Sequence, residues 1–420
     1  MRAPFILLIA LAVCGPYVLL AQWIVLPSTG DQIYYCVSFP NSNTGFIAAG
    51  ASIYKTEDSG KTWTETMLQY GVRTLSFPAN DVGYAGGAIV YKTTDGGESW
   101  DSIYTPNQCT GSRLIRSVAF VRENQGIIVG ECLVERTIDG ARTWRRCENT
   151  AEMPMYPGSA ISNYAGRLMH LDSWSESELS QGSLWRSTNS GETWVAVKGW
   201  LFFPESIGMQ IQTITHNGEF RIWIGGNRYN RSIWGRRTTS RVFFTTDGGE
   251  TWDTTKYVFP YTVNTIAFAD SLRGFIGDTA GNIYSTTDGG TTWQNDNVPS
   301  GGRSINSIAI AGGTAVYAVG DGGLILKREL VTSVAEGGEG QPMGVYPNPT
   351  HGTIRIRVGA EHIGALLTVS DMFGRTILTI TVNDQDTDVD LRSYPQGTYV
   401  ITMHHSRTIE SRMMIMMGDR

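Results

Sequence analysis

An eight-residue phrase recurs six times along the chain, and few architectures can accommodate it. The copies are Thr56–Trp63, Thr93–Trp100, Thr137–Trp144, Ser187–Trp194, Thr245–Trp252 and Thr286–Trp293. Each places an Asp or Asn third, at Asp58, Asp95, Asp139, Asn189, Asp247 and Asp288, and a Trp last, at Trp63, Trp100, Trp144, Trp194, Trp252 and Trp293. The pattern is turn chemistry. A short carboxylate accepts backbone N–H groups of its own turn, and glycine enters φ > 0 without a Cβ clash. A Ser or Thr two residues earlier adds a local bond, and the Trp opens the next strand with a large apolar face. Six acids in a row invite a catalytic or calcium-binding reading. One acid per repeat cannot converge on one site, however, and Asn189 keeps the acceptor while dropping the charge, so the acids are assigned to structure. Ala141 replaces a glycine in the third copy, which predicts a strained turn there.

A stereotyped lead-in precedes each phrase. Thr74-Leu75-Ser76-Phe77 followed by Val82–Gly86 matches Thr265-Ile266-Ala267-Phe268 followed by Arg273–Gly277. Alternating apolar residues, a polar turn, a second short strand, a third ending at the phrase and a Trp strand make four strands per repeat. Such units close radially into a propeller. The composition agrees: charged residues are 17% of the chain, against roughly 25% in an average soluble protein, with 49 glycines and 12 tryptophans. A seventh lead-in at Ser304–Ile310, Ala315–Val319 and Leu324–Lys327 has no phrase and no Trp strand. Gln22–Pro27 is a Trp strand without a lead-in. Joining the two gives a seven-bladed β-propeller over 22–328 with the N-terminal strand closing the last blade.

These phrases resemble the Asp-box (BNR) hairpin of sialidase-like β-propellers. Lead-in and phrase together most resemble the propellers related to photosystem II assembly/stability factors, which implies a non-catalytic binding scaffold. Sialidases need an arginine triad and an early Arg-Ile-Pro segment; no Arg-Ile-Pro occurs here, so the clamp for a sugar carboxylate has no counterpart.

Both ends of the chain concern export. Arg2, the apolar run Phe5–Val13 and the small residue Ala21 read as a signal peptide over 1–21. Val13 before Cys14 is bulky where lipoprotein processing needs a small residue. Residues 329–343, rich in Gly and Glu, read as a linker. Beyond them the Pro347-Asn348-Pro349 opening, the Asp371-Met372-Phe373-Gly374-Arg375 hairpin and the Gly397-Thr398-Tyr399 strand outline a small β-sandwich over 344–420. That segment resembles the C-terminal sorting domain of the type IX secretion system of Bacteroidetes-like bacteria. The resemblance implies engagement of that machinery and a place outside the cell or on its surface. The last strand, 411–417, departs from the family in having few lysines.

The net charge of −6 offers no basic footprint for nucleic acid. No phosphate loop, nucleophile elbow or zinc motif is present, and no metal or cofactor is implied. His404 and His405 point to opposite faces of a strand. Four cysteines outside the signal suit an oxidising compartment, with Cys132–Cys147 the candidate disulfide, Cys109 the alternative partner, and Cys36 a buried hydrophobe.

Spacing between the phrases widens around the fourth and fifth repeats, with extra residues at 171–181, 200–208 and 227–240. These segments are assigned to the face opposite the phrases. They hold Trp174, Trp200, Phe202, Phe203, Tyr229 and Trp234 beside Arg228, Arg231, Arg236, Arg237 and Arg241. Aromatic plates beside guanidinium forks suit a protein or carbohydrate partner. The same loops are as consistent with packing on one another, with Asp172, Glu176 and Glu178 pairing the arginines. Those acids also leave open a glycoside hydrolase of the sialidase-like or xyloglucanase-like group, which would need two carboxylates roughly 5–9.5 Å apart in a central cleft.

Overall fold

The structure is a computed structural model that describes residues 22–105, 114–130, 133–147, 160–164, 167–171, 184–197, 207–218, 220–230, 237–330, 343–347, 350, 352–371, 376–395, 397–405 and 408–416. No α-helix occurs among them. Up to Leu330 the strands pair into seven four-stranded antiparallel sheets, numbered here in chain order. The first comprises Cys36–Ser38, Gly45–Ala49, Ser52–Thr56 and Thr64–Met67, and the next five repeat that plan. The seventh takes Ile305–Ala311, Ala315–Gly320 and Ile325–Glu329 from one end of the propeller and Ile24–Val25 from the other. There Ile24 pairs with Lys327 and Val25 with Leu326. The first strands of successive sheets pack on one another around a closed ring, the seventh against the first. The chain is therefore an all-β propeller whose ends are sewn together in one sheet, which leaves no open edge at the seam.

Burial follows strand position. The second strands Gly45–Ala49, Gly83–Gly87, Gly274–Asp278 and Ala315–Gly320 are buried throughout. The outer strands Thr64–Met67 and Asp101–Tyr104 are mostly exposed. Neighbouring sheets are joined by an aromatic unit that the sequence repeats. A phenylalanine stands at or next to the end of the first strand at Phe39, Phe77, Phe120 and Phe268, and its ring lies over a glycine at the start of the second strand. A Cβ on Gly45, Gly83, Gly126 or Gly274 would stand 2.3–2.5 Å from that ring. The ring then stacks on an aromatic of the preceding sheet: Phe39 on Tyr317 at 3.9 Å, Phe77 on Phe46 at 4.1 Å, Phe120 on Tyr84 at 3.4 Å. The closing Trp63, Trp100, Trp144 or Trp293 meets it edge-on at 6.0–6.5 Å. These four sheets are thus each cemented to the preceding one by three rings, a large apolar area concentrated where isolated short strands would not hold.

From Met343 onward a three-stranded sheet (Gly344–Tyr346, Thr353–Arg357, Asp386–Asp390) and a four-stranded sheet (Thr376–Thr381, Leu366–Asp371, Gly397–His405, Thr408–Met416) share a separate core. Ile354, Ile356, Leu367, Val369, Val389 and Ile401 fill it. The strand Thr353–Arg357 alternates exposed and buried, and its outward Arg355 and Arg357 form bidentate pairs with Asp388 and Asp386.

Candidate functional site

The six phrases form turns closed by the same set of hydrogen bonds. In the first, Thr56 Oγ1 donates to Asp58 Oδ1 at 2.9 Å, and Asp58 Oδ1 and Oδ2 accept the Thr62 N–H and hydroxyl at 2.9 and 2.7 Å. The Gly60 N–H closes the loop onto Thr56 Oγ1. The same set recurs around Asp95, Asp139, Asp247 and Asp288. Asn189 keeps it by accepting the Thr193 N–H and donating Nδ2 to the Thr193 hydroxyl. The hydroxyl and N–H four residues on hold the carboxyls of Asp58 and Asp139 at about 2; at Asp288 the N–H leads and the carboxyl again falls to about 2. Asp95 is pushed lower still by Ser99. At Asp247 slight burial pushes upward and the bonds from Thr245 and Thr251 outweigh it. Carboxylates saturated this way are permanently charged acceptors, with no proton to give or take at working pH.

In the first four turns, the residue before the turn hydroxyl reaches across to the next turn. Lys55 bonds Glu98, Lys92 donates to the Gly140 carbonyl at 3.0 Å, Arg136 to Glu192 at 3.1 Å, and Arg186 to the Gly248 carbonyl and Glu250, both at 2.9 Å. The turn side of the propeller is a belt of mutual links.

At the opposite ends of the sheets lies a second repeated feature. Five of the inner strands carry a bulge at the same place, and the bulged residues are Arg73, Arg116, Gln212, Asn264 and Asn306. An extra residue in one strand re-aims its side chain and ends regular pairing, which is why bulges collect at binding sites. Here the bulges reach from sheet to sheet. Asn306 donates to the Tyr34 carbonyl at 3.1 Å and to Asp321 at 2.8 Å, and Asn264 donates to Ser304 Oγ and the Ile305 carbonyl at 3.1 Å. The guanidinium of Arg73 lies 4.6 Å from the centre of the Tyr35 ring. The Ser or Thr after the bulge locks the next inner strand: Thr74 accepts the Val118 N–H, Thr265 the Ile308 N–H and Ser307 the Val37 N–H. Arg73 and Gln212 remain exposed. These residues were not singled out from the sequence. Their signal is the recurring triplet of an aliphatic, a long polar residue and Ser/Thr: Val72-Arg73-Thr74, Ile115-Arg116-Ser117, Ile211-Gln212-Thr213, Val263-Asn264-Thr265 and Ile305-Asn306-Ser307.

Of the inserted-loop residues, Trp174, Trp200, Phe202, Arg231, Trp234 and Arg236 lie outside the described residues, as do Asp172, Glu176 and Glu178. Arg228 and Tyr229 end the strand Ile222–Asn230, and Arg237 begins Arg237–Thr245; Tyr229 is the register partner of Arg237. These strands, of nine residues each, outlast the four- to six-residue ones of most other sheets. The backbone thus brings Tyr229 and Arg237 side by side at the end remote from the turn. Cys132 and Cys109 lie outside the described residues; Cys147 is buried beside Trp185 and Trp194. Among the described residues no group of His, Cys, Asp or Glu gathers as metal ligands, and no helix is long and apolar enough to cross a membrane.

The family model described as photosynthesis system II assembly factor YCF48 matches residues 16–328, and that of a secretion system C-terminal sorting domain matches 344–417. No curated protein matches the chain. Among solved structures, YCF48 bound to a D1 peptide aligns at 20% identity and a TM-score of 0.55, covering 73% of this chain and 96% of that one. YCF48 from Cyanidioschyzon merolae aligns at 18% identity and 0.55, covering 74% and 99%. PorZ, a bacterial surface component of the type-IX secretion system of Porphyromonas gingivalis, aligns at 13% identity and 0.54. That alignment covers 92% of this chain and 60% of PorZ. At these identities the structures share a fold with this chain.

Proposed function

This chain belongs to the family of the photosynthesis system II assembly factor YCF48 and ends in a secretion system sorting domain, and from that premise we propose that it is an exported, non-catalytic scaffold. It holds a protein or glycan partner on the propeller face away from the Asp turns, and the type IX machinery carries it to the cell surface or beyond through its C-terminal domain. The observation that carries this reading is the set of bulged residues, Arg73, Arg116, Gln212, Asn264 and Asn306. They are polar, they share one end of the inner strands, and they lie where a propeller offers its central mouth. The turn face has no comparable offer, since its carboxylates are consumed by their own turns. The solved structure of YCF48 bound to a D1 peptide supports a peptide as the first partner to try. Extended chain suits guanidinium and carboxamide groups, which bond carbonyls and carboxylates alike. The inserted loops with Trp174, Trp200, Phe202, Arg231, Trp234 and Arg236 then extend the same face, and Arg228, Tyr229 and Arg237 lead into them.

The test uses the mature protein on a peptide array and on a glycan array, with Arg73→Ala and Arg116→Ala for the bulges and Trp234→Ala and Arg236→Ala for the loops. Binding on either array that falls at least tenfold in a bulge variant supports the mouth as the site. Retention by all four variants, or no binding on both arrays, overturns it.

A further inference from the structure

The seam of the propeller carries a second opening, independent of the mouth. At two other places in the ring, a tyrosine from the outer strand of one sheet reaches into the gap to the next. Tyr104, opposite Val90 in the second sheet, lies with its ring 5.4 Å from that of Trp144 in the third and donates its hydroxyl to Glu135. Tyr257 of the fifth sheet likewise donates to the Gly290 carbonyl in the turn of the sixth. At the seam the outer strand is the N-terminal one. Its residue opposite Ile325 is Leu26, held by the Leu26 N–H to the Ile325 carbonyl at 2.9 Å, and Pro27 follows. No ring from this end of the chain enters the gap: Leu26 packs there against the same core cluster as Trp63, and the ring of Trp23 faces Phe275 of the sixth sheet. The ring neighbour of Trp63 is Phe39, from its own sheet, and a cleft of about 380 Å³ opens between Pro27 and Thr29 on one side and Tyr54, Lys61, Trp63 and Glu65 on the other.

The polar fittings of the cleft match those of the gap that Tyr104 fills. Tyr54 stands at the third-strand position that Glu135 holds in the third sheet, each two residues before the turn hydroxyl. Its register partner Glu65 supplies the carboxylate. Glu65 Oε1 accepts Ser52 Oγ at 2.5 Å and the Tyr54 hydroxyl at 3.1 Å, and Oε2 accepts no bond among the described residues. Lys61 adds an ammonium at the rim.

The geometry points to a docking slot for a tyrosyl side chain of a partner chain. The ring lies against Trp63 as Tyr104 lies against Trp144, and the phenol O–H donates to Glu65 Oε2 as Tyr104 donates to Glu135. The fold itself supplies the template for this occupant in the gap that Tyr104 fills. A phenol fits where a saturated sugar would not, because a flat ring against a tilted indole is what the plugged gap contains.

The probe is N-acetyl-L-tyrosinamide, titrated by NMR into the full mature chain beside N-acetyl-L-phenylalaninamide and methyl α-glucoside. The tyrosine amide should bind about ten- to hundredfold tighter than the phenylalanine amide, the share expected for one hydrogen bond to a charged acceptor. Glu65→Ala should erase that preference and leave residual ring binding. Pro27→Tyr, which returns a ring to the seam, should abolish binding of both amides without lowering the melting temperature. Equal affinity for the two amides in the wild-type protein, a preference that survives Glu65→Ala, absence of saturable binding, or stronger binding of the glucoside would each overturn the assignment.

Discussion

Trp23 donates its indole N–H to Asp296 Oδ2 at 2.9 Å across 273 residues of chain. The same oxygen accepts Arg328 Nη1 at 2.6 Å, and Oδ1 accepts the Ser285 hydroxyl at 2.6 Å. Arg328 also lies over the Phe275 ring, 5.7 Å from its centre, and Trp23 meets that ring edge-on at 6.0 Å. One carboxylate thus ties together the N-terminal strand, the last strand of the propeller and the sixth sheet. The pairing of Ile24–Val25 spans two residues, too few to hold the seam alone.

Breaking that node should loosen the ring closure. Asp296→Ala leaves the largely buried Arg328 without its partner and should cost about 2–4 kcal/mol, near the range for a broken buried pair. Asp296→Asn retains acceptor geometry and should cost about half as much. Trp23→Phe removes only the indole donor, at about 1 kcal/mol. Urea midpoints for the three variants and the Asp296→Asn/Trp23→Phe double variant read out the coupling. Additive costs would mean that the two groups do not work as a unit.

The Asp turns predict an acid transition. Each carboxyl is held below its unfolded value of roughly 3.9, so its contribution is complete above that pH. It is lost as pH falls towards the folded values of about 2 at Asp58, Asp139 and Asp288. Melting temperature should therefore drop steeply between about pH 4 and pH 2. The fourth turn does not titrate, because Asn189 stands there. Asn189→Asp should add one more titrating group, steepen the fall in that window and leave the melting temperature at pH 7 nearly unchanged.

Much of this architecture is legible in the sequence, because propeller repeats write their turn chemistry in every copy. The Asp, the hydroxyls and the closing Trp have fixed offsets, and so does the Phe that lies over a second-strand Gly. The bulges are harder to read. A bulge changes pairing count and leaves composition alone, so Val72-Arg73-Thr74 looks like any alternating strand until Val72 and Thr74 are found opposite adjacent residues, Gly87 and Gly86. The seam cleft is invisible for a different reason. It arises from a missing ring at Leu26–Pro27, and only the spatial neighbour, Trp63, shows what the gap lacks. The inserted loops carry no repeat to compare with, and their chemistry rests on residue types alone.

Glycine placement in the turns gives a paired stability prediction. Gly97 has φ 84°, and a Cβ there would stand 2.3 Å from the Phe46 ring of the preceding sheet. Gly97→Ala meets both backbone strain and overpacking, and should cost about 2–4 kcal/mol. In the third turn the matching residue is Ala141, at φ 68°, buried beside Val82 and Tyr84. Ala141→Gly relieves the backbone but removes a buried methyl, so the two effects, each of order 1 kcal/mol, nearly cancel. Thermal unfolding of the two variants compares them. A Gly97→Ala protein as stable as the parent would show that the aromatic unit yields to a methyl group.

The fifth sheet contains a titratable substitution in that aromatic unit. His216 pairs with Ile222 where Phe268 pairs with Gly274 in the sixth sheet, so a histidine fills the place of the repeated phenylalanine. Burial pushes the imidazole down to about 4, against an unfolded value of roughly 6.5. The sign is that of a depressed group. His216 is neutral in both states above about pH 6.5; below that the unfolded chain takes up a proton that the folded one refuses, so stability falls until the folded imidazole also charges near pH 4. The window lies above that of the Asp turns, so the two can be separated. His216→Leu should flatten the stability curve between about pH 6.5 and pH 4.5 and leave the steeper fall below pH 4 in place. His216→Phe alone should destabilise at every pH, because Ile222 occupies the space the ring needs, and adding Ile222→Gly should recover it. Urea midpoints from pH 7 to pH 4 decide the matter: an unchanged slope in His216→Leu would place the acid sensitivity elsewhere.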